Sequence, residues 1–257
     1  MFEIASGRRA VITGGASGFG FGVAERLLEA GASVAIADVD GPAVKAAGAR
    51  LPGALPIVMD VTDRSSVVAG IGQAADAFGG LDTLVNCAGV FEFRPFEEIS
   101  EREWDWILDV NLKGVFLACQ VALPHLRASG RGRVVNISSD AGKKGFALIA
   151  SYVASKFGVV GLTESLAAEL GPFGVTVNAV CPSTVAETRM GQKVLEQKVD
   201  LFSKPPEQVL AEGAQAYPLR RLGTVADVAD TIMFLISESA GWISGESINI
   251  DGGNLSG

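Results

Sequence analysis

A cluster of glycines near the start of the chain constrains its fold more than any other feature. Gly14, Gly18 and Gly20 follow a short apolar run at 10–13 and open a helical pattern over 18–30. Glycines there let the backbone turn tightly between a strand and a helix, although that turn alone would explain them. They also let the backbone approach a pyrophosphate, which the free N–H groups of a helix N-terminus bind. The cluster predicts a strand–turn–helix unit with a dinucleotide site as its functional interpretation.

Short apolar runs alternate with longer helical patterns along the whole chain. Nearly continuous apolar strands alternating with helices are typical of a parallel sheet covered on both faces. We predict strands at 10–13, 33–37, 55–59, 83–86, 133–137, 175–180 and 247–250. We predict helices near 18–30, 41–50, 63–79, 101–128, 152–171, 192–213 and 225–238. The predicted fold class is therefore α/β, a Rossmann-like, doubly wound, seven-stranded parallel sheet flanked by helices.

One polar segment, 183–223, breaks this rhythm and contains Pro205, Pro206 and Pro218. Its length and composition indicate a segment that extends from the domain rather than a second domain. With 257 residues, the chain is within the range of one large α/β domain. We predict a single domain over 1–257 with a small substrate lid at 183–223.

Charge and cysteine content exclude several classes of function. The net charge of -8 argues against a nucleic-acid or anionic-membrane surface, since both need clustered Lys and Arg. No apolar run approaches the roughly 18 residues of a membrane span, and the first apolar run is too short for a signal peptide. Three scattered cysteines, Cys87, Cys119 and Cys181, suggest reduced thiols, so we expect a cytoplasmic protein. With a single His and no paired Cys, we expect no metal site.

An acidic residue at the end of the second predicted strand indicates which dinucleotide is bound. Asp38 lies about twenty residues after the glycine cluster, where a carboxylate accepts hydrogen bonds from the adenosine ribose hydroxyls. The same carboxylate repels a 2′-phosphate. Neither Val39 nor Ser17 supplies the positive charge that such a phosphate requires. These residues predict NAD rather than NADP.

A tyrosine and a lysine stand four residues apart in a predicted helix. Tyr152 and Lys156 therefore share one face of that helix, thirteen residues after Ser139. A nearby ammonium favours the phenolate, so we expect Lys156 to lower the pKa of Tyr152 towards neutral pH. Tyr152 could instead be an amphipathic residue packed at a helix edge. Combined with a dinucleotide site, the spacing points to hydride transfer with proton exchange at Tyr152.

This ordered set of motifs resembles the short-chain dehydrogenase/reductase family over essentially the whole chain, and matches its non-extended branch. The family's glycine pattern Thr-Gly-x-x-x-Gly-x-Gly matches residues 13–20. Further matches are Asp60-Val61, Asn86-Cys87-Ala88-Gly89, Asn111, Ser139, the Tyr152 and Lys156 pair, residues 178–182 and Asp251-Gly252-Gly253.

The resemblance implies a nicotinamide cofactor and four catalytic residues. Tyr152 would exchange the proton of the alcohol, Lys156 would stabilise its phenolate and bind the nicotinamide ribose, and Ser139 would hydrogen-bond the reacting oxygen. Asn111 would hold a water molecule that links Lys156 to solvent, although an Asn at this place can also bond nearby backbone or kink the helix. The implied cofactor contacts are Gly14, Ser17, Gly18, Phe19, Gly20, Asp38, Val39, Asp60, Val61, Asn86, Ala88, Gly89, Tyr152, Lys156, Pro182, Val185 and Thr188.

Two positions depart from the family pattern. The usual Pro-Gly after the sixth strand is Pro182-Ser183 here, so the turn has lost a permissive residue. The Thr that contacts the nicotinamide amide is displaced by one residue and falls at Thr188. Thr184, Val185 and Thr188 all remain candidates for that contact.

Substrate contacts are expected beyond the carboxyl ends of the strands, from 90–93, 140–149 and 184–215. Lys143 and Lys144 would meet an acidic or polyhydroxylated substrate or form a solvated turn. Similarity to polyol, sugar and diol dehydrogenases makes a sugar, polyol or diol the leading substrate class. Cyclic alcohols, hydroxysteroids and 3-oxoacyl thioesters stay open, the last disfavoured because no NADP signal is present.

The resemblance also implies a homotetramer, with helices near 101–128 and 152–171 pairing across one axis. Two other functions compete with the dehydrogenase. An NAD-binding regulator would keep the glycine cluster but has no need of Ser139, Tyr152 and Lys156 together. A sugar-nucleotide epimerase or dehydratase of the extended branch would show another glycine spacing and a longer C-terminal domain.

Overall fold

Seven parallel strands form one sheet in the computed structural model, which describes residues 6–255. Residues 1–5 and 256–257 of the predicted domain lie outside the described residues. The strand order is β3-β2-β1-β4-β5-β6-β7, which confirms the predicted doubly wound α/β class. The strands are β1 Arg9–Thr13, β2 Ser33–Asp38, β3 Ala54–Val58, β4 Thr83–Asn86, β5 Arg133–Ile137, β6 Thr176–Pro182 and β7 Ser247–Ile250.

Helices cover both faces of this sheet and bury two apolar clusters. The helices are α1 Gly18–Glu29, α2 Gly41–Arg50, α3 Arg64–Phe78, α4 Glu101–Leu108, α5 Gly114–Ala128, α6 Ala150–Leu170, α7 Arg189–Phe202, α8 Pro206–Ala216 and α9 Val225–Ile236. One cluster joins α1, α2 and α9 to the sheet, and the other joins α3, α5 and α6 to its opposite face. Because both faces are covered, the strands read as continuous apolar runs in the sequence.

The winding of the chain reverses between β1 and β4. β1 pairs with β2 on one side and with β4 on the other, so the connections leave this point in opposite directions along the sheet. Such a reversal opens a crevice beyond the carboxyl ends of the two strands, where ligands bind in open α/β sheets. The glycine cluster after β1 and the segment after β4 meet at this crevice.

The predicted helix 101–128 is interrupted. α4 and α5 are joined by a π-helical segment, Asp109–Lys113, that contains Asn111. A π segment inserts one extra residue into a helical turn and rotates the residues that follow it. The Asn111 side chain in this segment pairs with the backbone of Val90, which is distant in sequence, as described with the site below.

The predicted helix 192–213 is two helices, α7 and α8. Ser203 ends α7 with a left-handed φ of 50°, and Pro206 stands at the first position of α8. Proline lacks the N–H that would continue α7 and fits the first turn of a new helix. α7 also begins earlier than predicted, because the Thr188 side chain accepts a hydrogen bond from Gly191 N and caps the helix.

One helical stretch in the described part of the chain, Glu101–Ala128, is long and apolar enough to cross a membrane by length and composition. No such stretch is predicted from the sequence. Ile107, Leu117, Ala118 and Leu126 within it are buried, and α5 packs against α3. The apolar character of this stretch is explained by that packing.

Candidate active site

A cavity of about 1070 Å³ occupies the crevice at the carboxyl ends of strands β1 to β6. Most of the predicted cofactor residues line it. They are Gly14, Ser17, Gly18, Phe19, Gly20, Asp38, Val39, Asp60, Val61, Ala88, Gly89, Tyr152, Lys156, Pro182, Val185 and Thr188. Ser139 lines it too, whereas the side chains of Asn86 and Asn111 are buried beside it.

Two glycines of the turn, Gly14 and Gly20, leave no room for a side chain. Gly14 has φ +65°, and a Cβ placed on it would lie 2.7 Å from Ala88 N. A Cβ on Gly20 would lie 2.4 Å from Gly14 O. Ser17, which precedes α1, makes no side-chain cap, so the first N–H groups of this helix are left to a ligand. This arrangement fits a pyrophosphate at the helix N-terminus.

The Asp38 carboxylate is fixed at the rim of the cavity by backbone donors. Its Oδ2 accepts from Ala16 N at 3.3 Å, and its Oδ1 accepts from Asp40 N at 3.2 Å. Val39 beside it is largely exposed. An anchored carboxylate at the end of β2 fits the hydroxyls of an adenosine ribose.

Asp60 is held by its own turn, because its Oδ1 accepts from Thr62 N at 2.8 Å and from Thr62 Oγ1 at 2.7 Å. With Val61 it forms the cavity wall beyond β3. This places the pair beside Asp38, since β2 and β3 are neighbours in the sheet.

The Asn86 side chain lies outside the cavity, unlike the other predicted cofactor residues. It is buried at the end of β4 and donates to Asn136 Oδ1 at 2.9 Å, across the β4–β5 pair. A side chain committed to this bond ties two strands together and does not line the cavity. The resemblance alone could not separate this packing role from cofactor contact.

Tyr152 lies at the inner wall of the cavity and is 7 % exposed. Its ring packs edge-on against Phe91, with the centroids 4.9 Å apart. Burial raises its pKa above the ordinary range, and a hydrogen bond from Ser139 opposes that shift. The prediction that this pKa is lowered towards neutral pH is wrong for this structure, because the pKa is raised and burial is the largest cause.

Lys156 lies beside Tyr152 on α6, as the four-residue spacing predicts. Its Nζ is 5.5 Å from the centroid of the Tyr152 ring and donates to Ile137 O at 2.9 Å. Burial lowers the pKa of Lys156 to about 8. Its ammonium is thus directed into the cavity between the end of β5 and the phenol.

Ser139 follows β5 and begins a short helical turn. Its Oγ accepts from Ala141 N at 3.1 Å and donates to Asp140 Oδ1 at 3.0 Å. The extended backbone of Ser139 lets its side chain lie near Tyr152. The structure therefore brings Ser139, Tyr152 and Lys156 into one cluster.

Asn111 pairs with the backbone of the segment after β4. Its Oδ1 accepts from Val90 N at 2.8 Å, and its Nδ2 donates to Val90 O at 3.0 Å and to Ser155 Oγ at 3.1 Å. A Cβ on Gly89 would lie 3.4 Å from Asn111 Oδ1 and 3.7 Å from Lys156 Nζ. The backbone-bonding alternative describes these contacts, while a water link to Lys156 stays a prediction.

The three candidates for the nicotinamide amide contact all line the cavity. Thr188 Oγ1 donates to Val185 O at 3.0 Å, so its proton is engaged within the turn before α7. Thr184 N donates to the Tyr217 hydroxyl at 3.4 Å. Val185 is buried and carries no polar side-chain atom. These placements leave the assignment among the three open.

The substrate side of the cavity is mainly apolar. Around Tyr152 the walls are formed by Phe91, Phe93, Phe146, Ile149, Met190 and Val194. The predicted segments 90–93 and 140–149 contribute to it, as do α7 and the turn before it. Lys143 and Lys144 are exposed and are not among the lining residues of this cavity.

Three polar residues of the cavity wall were not singled out from the sequence, although two of them, Asp140 and Lys193, lie in the segments 140–149 and 184–215 where substrate contacts were expected. Asp140, Lys193 and Tyr217 line it, and Lys193 Nζ lies 2.5 Å from Glu92 Oε1. Asp140 could have been identified from the sequence, because it directly follows Ser139. Nothing in the local sequence identifies Lys193 or Tyr217 as cavity residues, because their positions depend on how the lid folds over the cavity.

Comparisons with known proteins agree with this geometry. A family model described as short chain dehydrogenase matches residues 8–199. The 2-(S)-hydroxypropyl-CoM dehydrogenase 3 of Xanthobacter autotrophicus is 37% identical over 94% of this chain and 94% of its own length. The D-threitol dehydrogenase of Mycolicibacterium smegmatis is 37% identical over 96% of this chain and 92% of its own. A crystal structure of an actinorhodin polyketide ketoreductase variant with NADPH has a TM-score of 0.94 at 31% identity, covering 98% of both chains.

Proposed function

The chain belongs to the short-chain dehydrogenase/reductase family, and from that premise we propose that it is an NAD-dependent oxidoreductase interconverting a secondary alcohol and a ketone, with Tyr152 as general acid/base. The observation that carries this proposal is the cluster of Ser139, Tyr152 and Lys156 in the same cavity as the tightly packed glycine turn. A regulator that only binds NAD has no need of the cluster.

The chain's own residues supply proton handling and orientation. When bound, a nicotinamide supplies the hydride chemistry. The buried Tyr152 phenol holds the proton that a ketone oxygen gains, and it takes up the proton of an alcohol in the opposite direction. Lys156 favours the phenolate form by charge, and the Ser139 hydroxyl steadies charge on the reacting oxygen. Phe91 covers one side of the phenol and keeps water from it.

NAD rather than NADP is proposed from the anchored Asp38 carboxylate. The basic residues that line the cavity in the described part of the chain are Lys156, Arg189, Lys193 and Lys198, which lie on α6 and α7 rather than after β2. A 2′-phosphate beside Asp38 would be repelled. The related ketoreductase structure contains NADPH, so a direct comparison of NAD and NADP with the purified enzyme is required. A preference for NADP(H) would refute this part of the proposal.

A sugar, polyol or diol is the first candidate substrate, supported by relatives named D-threitol, sorbitol and L-2,3-butanediol dehydrogenase. A cyclic or otherwise bulky alcohol is the second, favoured by the aromatic wall of Phe91 and Phe93. Hydroxysteroids fall within this second class. A 3-oxoacyl thioester has support from the relative named 3-oxoacyl-[acyl-carrier-protein] reductase.

The test is a panel of sugars, polyols, vicinal diols and cyclic alcohols. NADH formation is measured by its absorbance at about 340 nm. Reduction of the matching ketones is followed in the same way. Turnover confined to polyols and diols supports the first substrate class, and turnover confined to cyclic alcohols supports the second. Cofactor binding without turnover of any member, in either direction, would favour the NAD-binding regulator.

We also retain the proposals of a single domain over 1–257, a cytoplasmic location and a homotetramer. Cys87, Cys119 and Cys181 are free, which is compatible with a reducing compartment. Large exposed rings on α5 and α6, Phe116 and Phe157, support pairing of these helices between subunits.

A further inference from the structure

A second, smaller cavity adjoins the one that contains Tyr152. This outer cavity has a volume of about 320 Å³, and its lining residues are Glu92, Arg94, Ser100, Arg102, Glu103 and Trp106. Trp106 also lines the larger cavity, so the two cavities meet at this side chain. It lies on α4, which packs against α6, the helix of Tyr152. The outer cavity therefore lies on the substrate side of Tyr152 and not on the cofactor side.

Two buried polar atoms in this wall have no hydrogen-bond partner among the described residues. One is a donor, Arg94 Nε, and the other is an acceptor, Glu103 Oε1. Arg94 Nε lies 3.3 Å from Glu103 Oε2, which is an ion-pair contact without hydrogen-bond geometry. A buried polar atom without a partner destabilises a fold, so native proteins normally provide one, and a ligand is one such partner. A hydroxyl group both donates and accepts, so it complements this pair of atoms.

Hydrogen bonds hold the backbone on both sides of the outer cavity. Arg94 N donates to Leu148 O at 2.7 Å, which ties the segment after β4 to the segment before α6. Glu103 lies in the first turn of α4, where its N donates to Ser100 Oγ at 3.2 Å. Because Ser100 Oγ is the acceptor in this helix cap, its hydroxyl proton is left for a ligand. The wall therefore presents a further donor beside the unpartnered pair.

The charges and the aromatic ring of the wall favour a neutral ligand with several hydroxyls over an anion. Arg94 and Arg102 are balanced by Glu92 and Glu103, so the lining carries no net charge. An anion placed there would be repelled by the two carboxylates. Trp106 is 42% exposed and supplies an apolar ring face, against which the C–H groups of a sugar or polyol can pack.

We propose that the outer cavity is a subsite for the distal hydroxyl groups of an extended polyhydroxylated substrate, a sugar or polyol longer than a vicinal diol. This inference rests on the proposed function, because it concerns the substrate of the same active site. A distal hydroxyl accepts from Arg94 Nε and donates to Glu103 Oε1, while Trp106 lines the path from the reacting carbon. A short vicinal diol such as 2,3-butanediol has no hydroxyl that extends to this subsite.

Binding in the absence of turnover tests the subsite. Protein saturated with NADH cannot oxidise an alcohol, so calorimetric titration of that complex with polyols measures affinity alone. The probes are 2,3-butanediol, threitol and the hexitols sorbitol, mannitol and galactitol. We expect at least one hexitol to bind about tenfold more tightly than 2,3-butanediol, because it forms additional hydrogen bonds in the outer cavity.

Two variants change the unpartnered atoms with little change of shape. In Glu103→Gln the amide oxygen stays with Arg94, so the NH2 group replaces Oε1 and turns the acceptor into a donor. Arg94→Lys keeps the positive charge and removes the Nε donor. Each is expected to reduce the preference for the hexitol over 2,3-butanediol by about fivefold. The matched control is Glu101→Gln, an exposed carboxylate on α4 that lines neither cavity, and it should keep the wild-type preference.

The inference would be overturned if no hexitol binds the wild-type protein more tightly than 2,3-butanediol. It would also be overturned by one hexitol preference shared by the wild type, Glu103→Gln and Arg94→Lys, or by an equal loss of that preference in Glu101→Gln. The titration needs no turnover, so the proposed function fails separately, when the wild-type protein converts no alcohol or ketone.

Discussion

At Tyr152 and Lys156, burial and charge act in opposite directions. Burial raises the pKa of the phenol and lowers that of the ammonium to about 8, because removal from water favours the neutral form of each group. The attraction between an ammonium and a phenolate favours the ionised forms instead. In the structure burial prevails, so the resting phenol is protonated and suited to donate a proton to a ketone.

Removal of the phenol hydroxyl tests its proposed role most directly. Tyr152→Phe keeps the ring that packs on Phe91 and removes the proton that is exchanged. Turnover is expected to fall by about 10²–10⁴-fold, while NAD affinity measured by calorimetry stays near that of the wild type. Lys156→Ala is expected to weaken both, because Lys156 also faces the proposed ribose site. A Tyr152→Phe enzyme with a nearly normal rate would refute the mechanism.

The buried ammonium also predicts how stability depends on pH. Lys156 ionises at about 8 when folded and near the ordinary 10.5 when unfolded, so between these values the unfolded chain binds the extra proton. Stability therefore rises with pH across that window as the folded Lys156 becomes neutral. Lys156→Met is expected to raise the free energy of unfolding by about 3 kcal/mol at pH 7, and by progressively less towards pH 10. Urea unfolding at several pH values measures this, and a gain that does not change with pH would contradict it.

At the scale of elements, an ion pair connects the lid with the catalytic wall. Lys193 on α7 lies 2.5 Å from Glu92 and also reaches Phe91 O at 3.5 Å. Phe91 packs against Tyr152. The pair therefore connects α7 with the segment that covers the phenol.

Loss of that pair is expected to loosen substrate binding more than chemistry. For Lys193→Ala we expect the KM of the best panel substrate to rise by up to about fivefold with kcat little changed, because the pair is partly exposed. Lys45→Ala, an exposed lysine on α2, is the matched control. Steady-state kinetics at low and high salt check it, since screening should reduce the difference. Equal KM values for the two variants would show that the ion pair does not hold the lid.

The elements differ in how far the sequence specifies them. The strands were placed within two residues because burial on both faces leaves a continuous apolar run. The π segment was not predictable, since Asn111 pairs with Val90, which is distant in sequence. Pro205 and Pro206 mark the break between α7 and α8, but the predicted helix 192–213 runs through them. The raised pKa of Tyr152 required the packing of Phe91 and Ile149, which spacing on one helix does not reveal.

At the scale of the whole molecule, strand order explains why residues so far apart in sequence share one cavity. Gly14, Asp38, Ser139 and Ser183 each follow or end a strand, and parallel strands present their carboxyl ends at one edge of the sheet. Tyr152 and Lys156 reach that edge from the first turns of α6. This is why a one-dimensional list of motifs predicted most of the cavity wall, while Tyr217 on the returning lid was missed.

The proposed homotetramer is testable through two rings of equal exposure. Phe157 on α6 and Phe173 after α6 are each 45% exposed, but Arg127 covers the Phe173 ring at 4.0 Å. In the described part of the chain no cation covers the Phe157 ring, and Phe157 on α6 and Phe116 on α5 are both exposed on the helices proposed as an interface. A charge introduced there is buried without a partner if the subunits pair through these helices, which disfavours assembly. Light scattering is expected to show a tetramer for the wild type and for Phe173→Asp, and smaller species for Phe157→Asp. A wild-type monomer at micromolar concentration, or an unchanged tetramer in Phe157→Asp, would contradict assembly through α5 and α6.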